Sequence, residues 1–174
     1  MSEFRRSVKM ASPAKFPSKG VYTLLISLKK DVRRRVGKLG IMRFEKGIYF
    51  YTGSALGNGS TGLMGRISRH LRLKKRVWWH IDYFLRSPQA FISYVVFSKA
   101  EKRVECEVHK VLYGQLNGAK MVRGFGSSDC KKGCVGHLLY VGELDKAKAL
   151  KAALKAYAIA GLKPKVLKRR GLEG

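Results

Sequence analysis

The sequence predicts an α/β domain in which a small, mainly antiparallel central sheet is flanked by helices. Three observations favour this fold class. Short segments rich in β-branched and aromatic residues recur between turn residues, as strands do. Amphipathic segments with helical spacing alternate with them. Hydrophobic residues make up 45% of the 174 residues, which is enough for a core and excludes a disordered basic tail.

The strands are predicted where apolar runs meet turn residues. Residues 20–28 (GVYTLLISL) read as a largely buried strand, and Lys46-Gly47 marks a turn before the next long one. The first strands are expected to form an antiparallel meander, since short turns join neighbouring antiparallel strands. The predicted strands are 20–28, 41–44, 47–55, 91–97 and 137–141.

Three helices are predicted from their periodicity. Residues 63–73 place apolar side chains on one face and arginines on the other, so this helix has a cationic surface. Residues 101–116 carry an inward stripe of apolar residues. Residues 144–159 are rich in Ala, Lys and Leu, which favour helix, and Pro164 stops any continuation.

Composition divides the chain into three parts. Residues 1–18 are polar and basic, contain two prolines and show no periodicity, so we expect a basic N-terminal arm. Residues 19–142 hold the predicted strands and the first two helices. Residues 143–174 hold the last helix and a cluster of lysines and arginines, and are expected to form a basic, helical C-terminal extension.

The strong positive charge points to a polyanionic partner. The chain has 37 Lys and Arg residues against 11 Asp and Glu, a formal net charge of +26. Nucleic acid is the expected partner, because phosphate contacts release counterions. A membrane is the rival polyanion, but no apolar run reaches the length of a spanning helix and no signal peptide is visible. Three cysteines are too few for a disulfide framework, so the cytoplasm is the expected compartment.

One short stretch combines residues suited to phosphate chemistry. Tyr51 precedes a glycine-rich turn at 53–57, and the helix that follows carries Arg66 and His70 one turn apart on the same face. Cleavage of a phosphodiester needs an activated water, charge stabilisation at phosphorus and help for the departing oxygen. An arginine can hold phosphate through two parallel hydrogen bonds, and a histidine can exchange a proton near neutral pH. The stretch therefore predicts a phosphate-handling site.

The order of these motifs resembles that of the GIY-YIG nuclease family, and specifically of its small, free-standing Uri-type branch. Gly20-Val21-Tyr22 matches the first signature and Tyr51-Thr52-Gly53 the second. Residues 54–57, 79–83 and 124–130 are similar to further blocks of that branch. The resemblance covers residues 19–142 and implies a GIY-YIG-like fold with endonuclease activity.

Two features of the connector between the signatures bear on this match. Gly47-Ile48-Tyr49 spells the family name, but it shares a predicted strand with Tyr51, so it cannot be the first signature. The connector is also longer than is usual in the family, because it holds the extra strand at 41–44. The Uri-type branch is similar in this insertion.

The resemblance implies a metal site and a set of catalytic residues. Glu105 corresponds to the family's metal-holding glutamate, with Mg²⁺ as the expected ion, and Glu107 is the second candidate. Tyr22 corresponds to the general base, although its ordinary pKa of about 10 must then be offset by neighbouring cations or the metal. Arg66 would clamp the scissile phosphate. The implied catalytic residues are Tyr22, Tyr51, Arg66, His70 and Glu105.

Other cations are expected to contact the nucleic-acid backbone rather than to take part in catalysis. They lie in or just after the cationic helix and near the C-terminus. They are Arg69, Arg72, Lys74, Lys75, Arg76, Lys168, Arg169 and Arg170.

A second cluster, Cys130-x3-Cys134-x2-His137, has residue types that bind zinc. A structural zinc site would need Cys106 or Asp129 to complete it, and the spacing is looser than in a standard zinc knuckle. Reduced cysteines in a turn are the preferred interpretation of this segment, and zinc is the alternative.

Two functions from different classes remain open on the sequence alone. The first is a metal-dependent endonuclease that hydrolyses phosphodiester bonds in DNA or RNA. The second is a non-catalytic rRNA-binding protein, associated with the ribosome and built on the same fold. The basic segments at both ends favour the second, because such segments neutralise phosphate without reading bases. The full set of catalytic residue types favours the first.

Overall fold

A six-stranded antiparallel sheet forms the centre of the fold in the computed structural model, which describes residues 16–169. The strands lie in the order β6-β7-β4-β1-β5-β8. In chain order, the elements are β1 (Gly20–Leu28), β2 (Val32–Arg35), β3 (Ile41–Phe44), β4 (Gly47–Ala55), α1 (Leu63–Leu71), α2 (His80–Leu85), β5 (Ala90–Lys99), α3 (Glu105–Gln115), β6 (Lys120–Met121), β7 (Leu138–Tyr140), α4 (Lys146–Ile159) and β8 (Lys165–Lys168). The predicted α/β class, with a mainly antiparallel sheet flanked by helices, is confirmed.

The central strand β1 is buried on both faces, which explains its almost continuous apolar sequence. On one face, Tyr22 and Leu24 join a core that includes residues of α1 and α2. On the other face, Val21 and Leu25 join a second core that includes residues of α3 and α4. The sheet therefore separates two cores, and the side chains of one strand alternate between them.

The expected meander of the first strands is wrong at β3. This strand pairs with β2 in a separate two-stranded sheet, with Val32 opposite Phe44. Both edges of β1 are already occupied by the long strands β4 and β5, so β3 finds no partner in the central sheet. Phe44 is buried in the first core. The small hairpin therefore covers that core.

The C-terminal region contains a strand that the sequence did not predict. β8 pairs with β5 at one edge of the central sheet, with Val95 opposite Leu167. Leu167 is buried, while Lys165 and Lys168 are exposed, an arrangement that protects an edge strand from pairing with other chains. The predicted helix α4 is confirmed, and it packs on the second core rather than projecting from the domain.

Four helix boundaries differ from the predicted ones. α4 begins at Lys146, not at residue 144, and α3 ends at Gln115, not at residue 116. α1 ends at Leu71, not at residue 73, because Arg72 adopts an extended backbone (φ −71°, ψ 132°). α3 begins at Glu105, not at residue 101, since Val104 is the first flanking position. Of the predicted N-terminal arm, residues 1–15 lie outside the described residues. Within 16–169, no helix is both long and apolar enough to cross a membrane.

Candidate active site and metal centre

A cleft of about 340 Å³ opens beside the C-terminal end of β4, where this inner strand continues beyond its neighbour β7. The pairing of β7 with β4 covers only residues 49–51, so the end of β4 borders the cleft. Four of the five predicted catalytic side chains line it: Tyr22, Tyr51, Arg66 and Glu105. They come from β1, β4, α1 and α3, respectively. The structure thus brings together residues that are up to 83 positions apart (105 − 22) in the sequence.

Gly53 makes room for Tyr22 in the cleft. The two residues are directly opposite each other on β4 and β1. A Cβ atom at position 53 would lie only 2.7 Å from the Tyr22 hydroxyl oxygen and 2.9 Å from the ring carbon that bears it. The glycine of the second signature motif is therefore required by the tyrosine of the first, for a steric reason.

The fifth residue, His70, lies directly behind Tyr22. The Tyr22 hydroxyl oxygen is 2.8 Å from His70 Nε2, and both side chains are buried. Burial raises the pKa of Tyr22 above its ordinary value, against the opposing effect of Arg66. Burial also lowers the pKa of His70 to about 3, and the charge of Lys75 contributes in the same direction. At neutral pH both groups are uncharged, and the phenol donates to Nε2 when the imidazole carries its proton on Nδ1.

Arg66 reaches the cleft from α1 across the face of Trp79. Its guanidinium carbon lies 4.5 Å from the centroid of the Trp79 ring, a cation–π contact that fixes the orientation of the side chain. The neighbouring Trp78 also lines the cleft and is 66% exposed. The sequence predicted core packing for at least one of these tryptophans. Trp79 is partly buried against the first core.

Glu105 approaches from the opposite face of the sheet, at the first position of α3. Its carboxylate accepts a hydrogen bond from the Ser54 hydroxyl of β4 and is favoured there by the helix dipole. Glu105 is close enough to Tyr22 to contribute to the raised pKa of the phenol. By contrast, Glu107 forms an exposed ion pair with Lys132, which lowers the pKa of Glu107. Of the two predicted metal ligands, Glu105 is the one that lines the cleft.

Asp82, whose role was not predicted from the sequence, is buried and forms ion pairs with two of the predicted phosphate-binding cations. Arg69 is 2.6 Å and Lys75 3.8 Å from its oxygens, and the side chains of Lys75 and Asp82 are almost fully buried. Burial alone would raise the pKa of Asp82, but hydrogen bonds from the Trp79 and Trp78 amides and from Arg69 lower it. No sequence signal marked it, because the residue before α2 is Trp79 and not one of the polar residues that begin a capping box.

The other predicted phosphate-binding residues are distributed over two regions. Arg72, Lys74 and Arg76 are exposed in the segment after α1. Lys168 is exposed on β8, at the far edge of the sheet, and Arg169 is half-buried beside it. Arg170 lies outside the described residues. Contact of these cations with nucleic acid stays a prediction. Arg69 and Lys75 instead form ion pairs with the buried Asp82, so their charges help to stabilise the fold.

Beside the cleft, three cysteines and a histidine form a cluster that could hold a metal ion. The ligand atoms of Cys106, Cys130, Cys134 and His137 all lie within 4.8 Å of one another. Of the two residues considered for completing such a site, the structure supplies Cys106, from α3. The side chain of Asp129 is exposed and lies 3.9 Å from Arg103. The cluster was hard to predict because Cys106 is 24 residues from Cys130 in the sequence.

Comparison with known proteins gives a family and no named relative. No curated protein and no solved structure matches the chain. A family model described as "Domain of unknown function DUF123" matches residues 21–159. This match covers most of the chain and includes all five predicted catalytic residues together with the cysteine cluster. The protein therefore belongs to the DUF123 family.

Proposed function

We propose that the protein binds nucleic acid and hydrolyses phosphodiester bonds in its cleft, in the manner of the GIY-YIG nucleases of the Uri-type branch. The observation that carries this proposal is the convergence of Tyr22, Tyr51, Arg66 and Glu105 on one cleft from four separate elements. A phosphate in that cleft would meet a guanidinium group, two phenols and a carboxylate. This set contains the groups that hydrolysis of a phosphodiester requires.

Substrate binding follows from charge. The net charge of +26 attracts a polyanion, and Arg66 offers an oriented guanidinium at the cleft itself. Trp78, exposed on the cleft wall, offers a flat apolar surface on which a base can stack. Phosphate contacts and stacking together bind nucleic acid without a requirement for one sequence.

Proton transfer is assigned to the buried pair of Tyr22 and His70. A free phenolate at Tyr22 is disfavoured, because burial raises the pKa of this group. Tyr22 can still take a proton from water if its own proton moves to His70 Nε2, which lies 2.8 Å from the phenol oxygen. This relay needs no separated phenolate, but it leaves a positive charge on His70, whose pKa burial lowers to about 3. That charge is opposed by the nearby carboxylate of Asp82, which raises the pKa of His70, and by the phosphate bound in the cleft. Arg66 then stabilises the charge that develops at phosphorus.

The cleft also has the donors for a divalent metal. Mg²⁺ is often held by one or two carboxylates together with waters and substrate phosphate, and Glu105 supplies one carboxylate with its geometry fixed by Ser54. Asp129 lines the same cleft. When bound, such an ion supplies charge neutralisation at the phosphate and activation of water.

The test is a cleavage assay on linear and branched DNA and RNA with Mg²⁺. Glu105→Ala is expected to abolish cutting and to leave binding nearly intact, because loss of one negative charge cannot weaken attraction to phosphate. Glu107→Ala is the matched control on the same helix turn, and it should cut normally. If Glu107→Ala stops cutting while Glu105→Ala does not, the assignment of the metal ligand is wrong.

A second candidate is an rRNA-binding protein that no longer cuts. Exposed cations outside the lining of the cleft favour it: Arg33 and Arg35 on β2, and Lys165 and Lys168 on β8. These residues offer phosphate contacts beyond those that one cleavage site uses. A wild-type chain that cuts none of the substrates and sediments with ribosomal particles would establish this function instead.

A further inference from the structure

The ligand atoms of the cysteine cluster all lie within 4.8 Å of one another, and two of their separations match those of a tetrahedral metal site. Cys106 Sγ lies 3.5 Å from Cys130 Sγ and 3.6 Å from His137 Nε2. With Zn–S bonds of about 2.3 Å and Zn–N bonds of about 2.0 Å, ligand atoms at tetrahedral angles are separated by about 3.5–3.8 Å. A disulfide would instead bring two sulfur atoms to about 2.05 Å. The two distances from Cys106 fit ligands of one ion, and Cys134 lies close enough to the other three ligand atoms to complete the set.

The ligand set favours zinc and a structural role. Thiolate and imidazole ligands select zinc over Mg²⁺ or Ca²⁺, which prefer oxygen. Four protein ligands leave no open position for substrate, as in structural zinc sites. Cys106 and His137 are buried, and Cys130 and Cys134 are half-buried.

The loop that carries three of the ligands needs an anchor. Residues 122–137 connect β6 to β7 without a helix or strand of their own. Loops longer than about 12–15 residues without regular structure are uncommon in compact domains, and those that occur are often functional. An ion shared with Cys106 would tie this loop to the start of α3, and its binding energy would stabilise the fold.

We propose that Cys106, Cys130, Cys134 and His137 bind one structural zinc ion that joins the 122–137 loop to α3. Two of the ligands directly follow residues that line the cleft: Cys106 follows Glu105, and Cys130 follows Asp129. The ion thereby fixes the cleft wall that carries both carboxylates. This last consequence rests on the proposed function, whereas the zinc site itself does not.

Metal analysis of the full-length chain, purified after expression in zinc-containing medium, tests the proposal directly. We expect about one zinc per chain, and substitution by Co²⁺ should give the visible absorption of a tetrahedral thiolate site. Cys134→Ser and His137→Ala should each weaken zinc binding by more than about 100-fold, beyond the 10–100-fold that loss of an outer partner costs. Asp129→Asn, next to a ligand but outside the set, is the control and should bind zinc as the wild type does.

Chelation of the wild-type protein provides a test that does not depend on the variants folding. Removal of the ion should increase hydrogen exchange at the amides of 127–137 and of the first turn of α3, and should leave the amides of β1 protected. The proposal is overturned if the wild type holds no zinc, if Asp129→Asn loses as much zinc as Cys134→Ser, or if native protein contains a Cys106–Cys130 disulfide. None of these measurements uses a substrate, so they distinguish failure of the zinc site from failure of the proposed cleavage activity.

Discussion

At the scale of single residues, the shape of the cleft depends on the contact between Gly53 and Tyr22. The hydroxyl of Tyr22 occupies the space that any side chain at position 53 would need. This explains why two short motifs on different strands act as one unit. Each motif alone is a weak signal, and the steric dependence between them is visible only once β1 and β4 are paired.

Gly53→Ala should therefore destabilise the protein by about 1–3 kcal/mol, the usual cost of overpacking a core. In a Tyr22→Phe background the cost should be smaller, because the nearest atom is gone and only the ring remains close. Urea unfolding of the single and double variants measures the coupling. Gly114→Ala is the control, because a Cβ there has no atom within 4 Å and alanine favours helix. Equal costs in both backgrounds would contradict the steric explanation.

Two buried histidines make stability depend on pH. Burial lowers the pKa of His70 to about 3 and that of His109 to about 4, from an ordinary value of 6.5. Below pH 6.5 the unfolded chain binds protons that the folded chain does not, so stability falls as the pH falls from 6.5 toward these lower values. Each histidine contributes at most about 1.4 kcal/mol per pH unit.

Free energies of unfolding between pH 7 and pH 5 measure this dependence. His70→Gln should unfold with a shallower pH dependence than the wild type, whatever its absolute stability, because one of the histidines whose pKa burial lowers is gone. An unchanged slope in this variant would show that the pKa of His70 is the same in the folded and the unfolded protein.

At the scale of elements, α4 illustrates how a local signal fixes a helix start. Asp145 accepts hydrogen bonds from the amides of Ala147 and Lys148, at 3.0 and 3.1 Å. The alanines of α4 at positions 149, 153 and 156 lie in the second core, and the Tyr157 hydroxyl donates a hydrogen bond to the Val96 carbonyl oxygen. The helix is thereby capped at its start and joined to the sheet near its C-terminal end.

Asp145→Ala should lower the free energy of unfolding by about 1 kcal/mol, because two amides at the helix start lose their acceptor. Glu143→Ala, two residues earlier, removes only an exposed ion pair with Lys46 and should change stability by less than about 0.5 kcal/mol. Thermal unfolding of the two variants compares them. A Glu143→Ala loss that equals the Asp145→Ala loss would contradict the capping role.

At the scale of the whole molecule, the chain has a net charge of +26, and exposed lysines and arginines of residues 16–169 lie on or just after helices that pack on both faces of the sheet. Binding to nucleic acid should weaken steeply as salt concentration rises, since each phosphate contact releases counterions. The position of the cations should matter as well as their number, because only those near the cleft can contact a substrate bound there.

Replacing Arg72, Lys74 and Arg76 with glutamine should reduce nucleic-acid affinity and the slope of its salt dependence. The matched control replaces Lys148, Lys151 and Lys155, three exposed lysines of α4, which covers the other face of the sheet. Both triple variants lose the same charge, so equal losses of affinity would show that binding depends on net charge and not on the cleft. Filter binding at several salt concentrations gives both quantities.

The sequence alone predicted five of the strands and three of the helices to within a few residues, because alternation and helical spacing are properties of neighbouring residues. It also predicted which residue types the cleft would contain. It did not predict β2, β6, β8 or α2, which are short and show little periodicity. Only the tertiary structure decided that β3 leaves the central sheet, that β8 completes its edge, and that Asp82 holds Arg69 and Lys75. Only the tertiary structure brought Cys106 to Cys130, Cys134 and His137. These outcomes depend on which strand edges are already occupied and which faces pack together, and such contacts between residues far apart in the chain leave no periodic signal in the sequence.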